Sequence, residues 1–164
     1  SHNTDFLRWL SGRNAIKVFA QAGTFSDIAA PAQSVMAQIV FEDGLMGHMW
    51  ISSEFPAPSF PSSEVRFQVI GRDGMLDFDN FDYLDLGKGE KWERVFTPEK
   101  FDYLKEPKSP IRLEPHVGVV QEFVDSIREE RPPKVGGVEG RAAVEICEAC
   151  LISARTGQAV ELPL

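Results

Sequence analysis

Hydrophobic and polar positions alternate most regularly between Val35 and Ser53, VMAQIVFEDGLMGHMWISS, where two apolar-rich runs flank Glu42-Asp43-Gly44. Asp-Gly between alternating runs marks a β-hairpin. A loop of Asp43-Gly44 alone would set Val35, Ala37, Ile39 and Phe41 beside Met46, His48, Trp50 and Ser52. Counting Glu42 into the loop, with Gly44 left-handed in a bulge, sets them beside Leu45, Gly47, Met49 and Ile51 instead. The second register makes one face wholly apolar and is the one predicted. The opposite face then carries Met36, Gln38, Val40, Met46, His48, Trp50 and Ser52, a mixed surface that suits neither core nor solvent and points to an interface or a site wall.

The same reading runs through the rest of the chain. Ser1 to Gly12 has an apolar stripe of Phe6, Leu7, Trp9 and Leu10 and a glycine where a helix C-cap belongs. So short a helix is marginal alone, and the expectation is that the protein continues upstream of Ser1; the plainer alternative is a short helix docked on the sheet. Asn14 to Thr24 alternates Ile16, Val18 and Ala20 against Lys17, Phe19 and Gln21, as a strand does. Phe55 to Ser63, with three prolines and two phenylalanines, reads as a loop, either a lid or a segment whose rings pack onto the sheet. Glu64 to Ile70 and Met75 to Phe78 form strands about Gly71-Arg72-Asp73-Gly74, and Tyr83 to Leu86 and Lys91 to Phe96 form strands about Gly87-Lys88-Gly89. Thr97 to Pro115, with four prolines, reads as a long loop. Val117 to Glu130 presents Val117, Val120, Phe123, Val124 and Ile127 on one helical face, and Val138 to Thr156 presents Ala142, Ile146, Ala149, Cys150 and Ser153. Ala159 to Leu162 adds a last short strand. Short sequential strands with tight turns followed by helices imply one domain over residues 1–164. Its fold class is α+β: a large, mostly antiparallel sheet with helices on one face and the other face open.

Composition narrows the partners. With 17 basic against 25 acidic residues, a net charge of -8 and no basic cluster, the chain is unsuited to nucleic acid or an anionic membrane. It has no apolar run of transmembrane length and no signal-peptide pattern, and its two cysteines make no disulfide framework, so a reducing cytoplasm is the expected location.

Candidate chemistry is sparse. Gly87-Lys88-Gly89 and Gly136-Gly137-Val138-Glu139-Gly140 lack both G-x-G-x-x-G and Walker spacing. Cys147 and Cys150 are spaced as C-x-x-C but sit in mid-helix, without the further ligands zinc needs, and read as small hydrophobes. His48 reads as structural, and His116 as a residue just ahead of a helix. His2 and Asp5 are the most suggestive pair: a spacing of three puts them on one helical face, where a carboxylate can orient an imidazole for general acid–base work.

Read together, these segments resemble a known family. H-x-x-D leading into W-L-x-G (His2 to Gly12), the turn GRDGML (Gly71 to Leu76), and the closing run FVDSIREERP, GVEG and ACLISARTGQAVELP are similar to the C-terminal domain of the Gfo/Idh/MocA oxidoreductases. The resemblance implies a dihydrodipicolinate-reductase-like C-terminal domain whose open sheet face joins copies of the chain, here through Met36, Gln38, His48 and Trp50. It implies that NAD or NADP is bound by an N-terminal Rossmann domain, together with a catalytic Lys absent here, and that this chain binds no cofactor or metal itself. His2 matches the family's catalytic histidine and Asp5 the acid that follows it. The implied function is a substrate-binding and oligomerisation domain, inactive alone, of an enzyme oxidising a sugar, polyol or related small hydroxyl compound. The alternative is a stand-alone, non-enzymatic binding or assembly module dimerising through the open face.

Overall fold

The computed structural model describes residues 1–27, 30–58, 65–100, 102 and 105–164. They form two units, residues 1–56 with 132–164, and residues 57–131.

The first unit is built on the hairpin. Strand β1 (Ala15–Gly23) pairs antiparallel with β2 (Ser34–Phe41), which pairs antiparallel with β3 (Met46–Ser52). The β2–β3 register is Val35↔Ile51, Ala37↔Met49 and Ile39↔Gly47, the one that groups the apolar residues. Asp43 and Gly44 both take positive φ in the turn, which lets Glu42 belong to the loop. Helix α3 (Gly137–Thr156) covers the apolar face: Ile146, Ala149 and Cys150 close on Val18, Ala20, Ala37, Ile39, Phe41 and Met49, all buried. Helix α1 (His2–Ser11) packs on α3 and contributes Leu7 to the edge of that core.

Ser153 of α3, wholly buried, does what a strand would. The short strand β8 (Val160–Glu161) pairs with β1 only at Lys17 and Val18. Beyond that point the Ala20 amide donates to the Ser153 hydroxyl at 2.9 Å, and the hydroxyl donates to the Gln158 carbonyl at 2.6 Å. A buried backbone donor past the strand's end is thereby satisfied.

Several expectations are corrected in this unit. Ile16 does not join Val18 and Ala20 in the core: a bulge between Ala15 and Lys17 turns it outward. Trp9 is 73% exposed, because Thr4 and Leu7, rather than the tryptophan, face α3. Ala143 is buried where Ala142 was expected. Gly12 and Gly157 cap α1 and α3 in the left-handed conformation, as their positions imply.

A carboxylate staples the far end of the sheet. Glu54, just past β3, accepts from the Ser34 hydroxyl and from the amides of Phe25 and Ser26 at 2.6 and 2.7 Å. The Ser34 hydrogen bond leads in holding its pKa down to about 2, from an ordinary 4.5. A lowered folded value stabilises above the unfolded pKa and is lost as pH falls through the folded one. Glu54→Gln should therefore melt below wild type at neutral pH, and the gap should shrink as pH falls from 4.5 toward 2. A gap that does not change over that range would show that the charge contributes nothing.

The second unit holds a separate antiparallel sheet, β4 (Arg66–Ile70), β5 (Met75–Asp79), β6 (Tyr83–Lys88) and β7 (Lys91–Phe96), paired in sequence order. The antiparallel strands are thus divided between two four-stranded sheets. Phe67 stacks on Phe78 on one face, with ring centroids 5.0 Å apart. The other carries a fork from Arg66 to Asp77, a second from Arg94 to Asp85, and the Arg94 guanidinium 4.7 Å over the Tyr83 ring. The last hairpin turns at Gly89 and Glu90 rather than at Gly87, which lies in β6 with the Trp92 indole against it.

Helix α2 (Pro110–Arg128) begins earlier than expected, so Pro110 to Pro115 are helical and His116 lies inside it. Ser109 is its N-cap and Pro110 its first residue, where a missing N–H costs nothing. Its expected core face is open: Val117, Val120, Phe123 and Ile127 are each 62–63% exposed. The start of the expected strand at Glu64, and parts of the loops at 55–63 and 97–115, lie outside the described residues. Among the described residues, no helix is long and apolar enough to cross a membrane.

Candidate functional site

The first turn of α1 carries the predicted pair. Ser1 is the N-cap, and the Asp5 amide donates to its carbonyl at 2.9 Å, closing the turn that puts His2 and Asp5 on one side. Thr4, 1% exposed, faces the other way: its hydroxyl lies 2.8 Å from the Ser1 carbonyl and 2.9 Å from the Ala143 carbonyl of α3. Further along, the Arg8 guanidinium donates to the Glu139 carbonyl at 3.3 Å and to Asn14 at 3.1 Å. With Thr4, Leu7 and Arg8 turned to α3, helical geometry sends His2, Asp5, Phe6 and Trp9 outward. His2 is exposed and Asp5 half-buried, and among the described contacts no hydrogen bond or ion pair joins them. Phe6 and Trp9 pack beside them with ring centroids 5.7 Å apart. This outward face offers an imidazole, a carboxylate and an aromatic pair on a helix anchored from behind.

The open face of the first sheet is the second candidate surface. Its cross-strand rows are Lys17–Val40–Met46, Phe19–Gln38–His48 and Gln21–Met36–Trp50. Met36 is 52%, Met46 83% and Trp50 53% exposed, and Trp50 meets Phe55 edge-on at 5.7 Å. Sequence alternation placed Met36, Gln38, His48 and Trp50 together here, and the structure does so. A groove of about 520 Å³ in the other unit is lined by Ile70, Arg72, Met75, Lys88 and Trp92; it holds neither His2 nor Asp5.

The glycine-rich start of α3 is filled by its own acid: the Glu139 carboxylate accepts from the Gly136 amide at 2.8 Å. That bond also lowers the Glu139 pKa, so a negative charge already occupies the position a phosphate would need. Cys150 is buried, and burial pushes its thiol up to about 11, away from redox or metal chemistry. Among the described residues no three His, Cys, Asp or Glu side chains group to hold a metal.

The reading from sequence missed Thr4. It lies between His2 and Asp5 in the chain but on the opposite side of the helix. Its spacing from Leu7 and Arg8, which share its face, was the signal that it points inward.

A family model described as "Oxidoreductase family, C-terminal alpha/beta domain" matches residues 1–162. A search of curated proteins gives no match. Among solved structures, an oxidoreductase from Agrobacterium radiobacter in complex with NAD+, L-tartaric acid and magnesium superposes with a TM-score of 0.82 at 16% identity, covering 98% of this chain and 46% of that one. Aldose-aldose oxidoreductase from Caulobacter crescentus, complexed with glycerol, gives 0.72 at 18% identity over 98% and 45%. Myo-inositol 2-dehydrogenase from Lactobacillus plantarum gives 0.67 at 20% identity over 99% and 46%. The chain therefore spans less than half the length of these proteins.

Proposed function

As this chain belongs to the Gfo/Idh/MocA oxidoreductase family, matching its C-terminal alpha/beta domain over residues 1–162, we propose that it is the substrate-binding and oligomerisation domain of a longer NAD(P)-dependent enzyme. Its substrate class is a sugar, polyol or related hydroxyl compound. The match along almost the whole chain carries this reading. The sugar and inositol enzymes among its structural neighbours, and the NAD+ held by one of them, support the substrate class and the cofactor.

The cofactor supplies the hydride acceptor from outside this chain, whose own α3 N-terminus is closed to it. His2 takes the proton of the substrate hydroxyl during oxidation and returns it in reduction. Asp5, one turn on, lies on the same side of the helix beside the imidazole. Phe6 and Trp9 present apolar area beside the pair on which the C–H face of a polyol can rest. Without a nicotinamide in reach the domain turns over nothing by itself.

The first test is the reading frame upstream of Ser1, followed by NAD+ and NADP+ reduction by the longer protein over a panel of sugars and polyols. A strand–G-x-G-x-x-G–helix unit in a preceding domain of about 100–150 residues, with activity on a panel member, supports the reading. A start codon immediately before Ser1, or reduction of neither cofactor, overturns it.

Oligomerisation is assigned to the open sheet face with Met36, Gln38, His48 and Trp50. Light scattering of the chain should give an oligomer, and Trp50→Glu should return it to monomers by forcing a charge into a desolvated apolar contact. A monomeric wild type at high concentration would remove the interface.

A further inference from the structure

We infer that Thr4 is a positioning residue, whose buried hydroxyl sets where His2 and Asp5 stand; the catalytic part of this rests on the function proposed above. The observation is the combination of burial and partners. Thr4 is 1% exposed in the first turn of a short helix, and its hydroxyl meets the carbonyl of the N-cap Ser1 and one carbonyl of α3. A hydroxyl has one proton and two lone pairs. The proton is shared between the Ser1 and Ala143 carbonyls at 2.8 and 2.9 Å, and a lone pair is left for the Cys147 thiol at 3.5 Å. Among the described contacts the hydrogen bonds that join the first turn of α1 to α3 are those of the Thr4 hydroxyl; Arg8 ties only the later turns.

The consequence follows from lever geometry. His2 and Asp5 flank Thr4 on the same helical turn and point away from α3. An end turn frays unless something holds it, and a misplacement of about 1 Å is enough to cost a proton transfer dearly. The threonine methyl adds shape to the contact, but the hydroxyl defines the register of α1 on α3, because it alone is directional at that point.

Amide hydrogen exchange on this chain tests the pin directly, and kinetics of the longer protein test its consequence. Thr4→Val keeps the shape and removes the hydroxyl; it should speed exchange at Asp5, Phe6 and Leu7 by about tenfold and leave Ala149 and Cys150 in α3 unchanged. Thr4→Ser should restore wild-type exchange to within about twofold. Wild-type exchange in Thr4→Val overturns the inference, and so does loss of protection throughout α3, which would make Thr4 a general stability residue. In the longer enzyme, assayed with the panel member it oxidises fastest, Thr4→Val should lower kcat by about tenfold with KM little changed, and Thr4→Ser should recover it. If His2→Ala lowers turnover and Thr4→Val does not, the positioning claim fails alone. If His2→Ala is also without effect, the proposed function fails.

Discussion

On the function proposed above, His2→Ala in the longer protein should lower kcat by about a hundredfold or more, the usual contribution of one positioned acid–base group. The imidazole is exposed on the outward face of a helix whose other face is buried against α3, so its removal leaves no cavity and disturbs no packing. The loss should therefore fall on kcat, with KM and the melting temperature close to wild type. Asp5→Asn keeps the shape of its side chain and removes the charge, and on the same proposal should cost less than His2→Ala. Steady-state kinetics on the three proteins decide the matter: unchanged turnover in His2→Ala takes His2 out of the mechanism.

Phe41→Ala should lower the unfolding free energy of the first unit by about 3–5 kcal/mol, among the largest effects of any single substitution. Phe41 is 1% exposed and ends β2. Its ring lies over Gly47 of β3, so closely that a Cβ at position 47 would stand 3.0 Å from it. Glycine there leaves the space the ring fills. Urea unfolding followed in the far-UV is the measurement, and the midpoint should fall with little change in slope. A shift worth under about 1 kcal/mol would mean that the site collapses around the smaller residue.

Much of the first unit was legible in the chain. In the hairpin, only one register groups its apolar residues, and Asp43-Gly44 supplies a turn that fits it. In α3, small and apolar residues recur at helical spacing, and Gly157 stops the helix. Gly12 does the same for α1. Local chemistry also misled. Thr97 to Pro115 reads as a loop for its prolines, yet Ser109 caps and Pro110 opens α2, where proline is welcome, and Pro115 is carried inside the helix against its usual exclusion from helix interiors.

For the candidate site the division is sharper. Periodicity alone determined that His2 and Asp5 share a helical face, that Met36 and Gln38 share one strand face and that His48 and Trp50 share another, since each follows from the repeat of a single element; the turn at Asp43-Gly44 set the register that joins the two strand faces. Which face of α1 looks outward was decided by Thr4 meeting Ala143, 139 positions away. How β1 is completed was decided by Ser153 meeting Ala20 across 133 positions. The bulge that turns Ile16 out arises only when β1 is paired. A buried polar group is placed by the partner that satisfies it, and these partners come from elements that only the folded chain brings together.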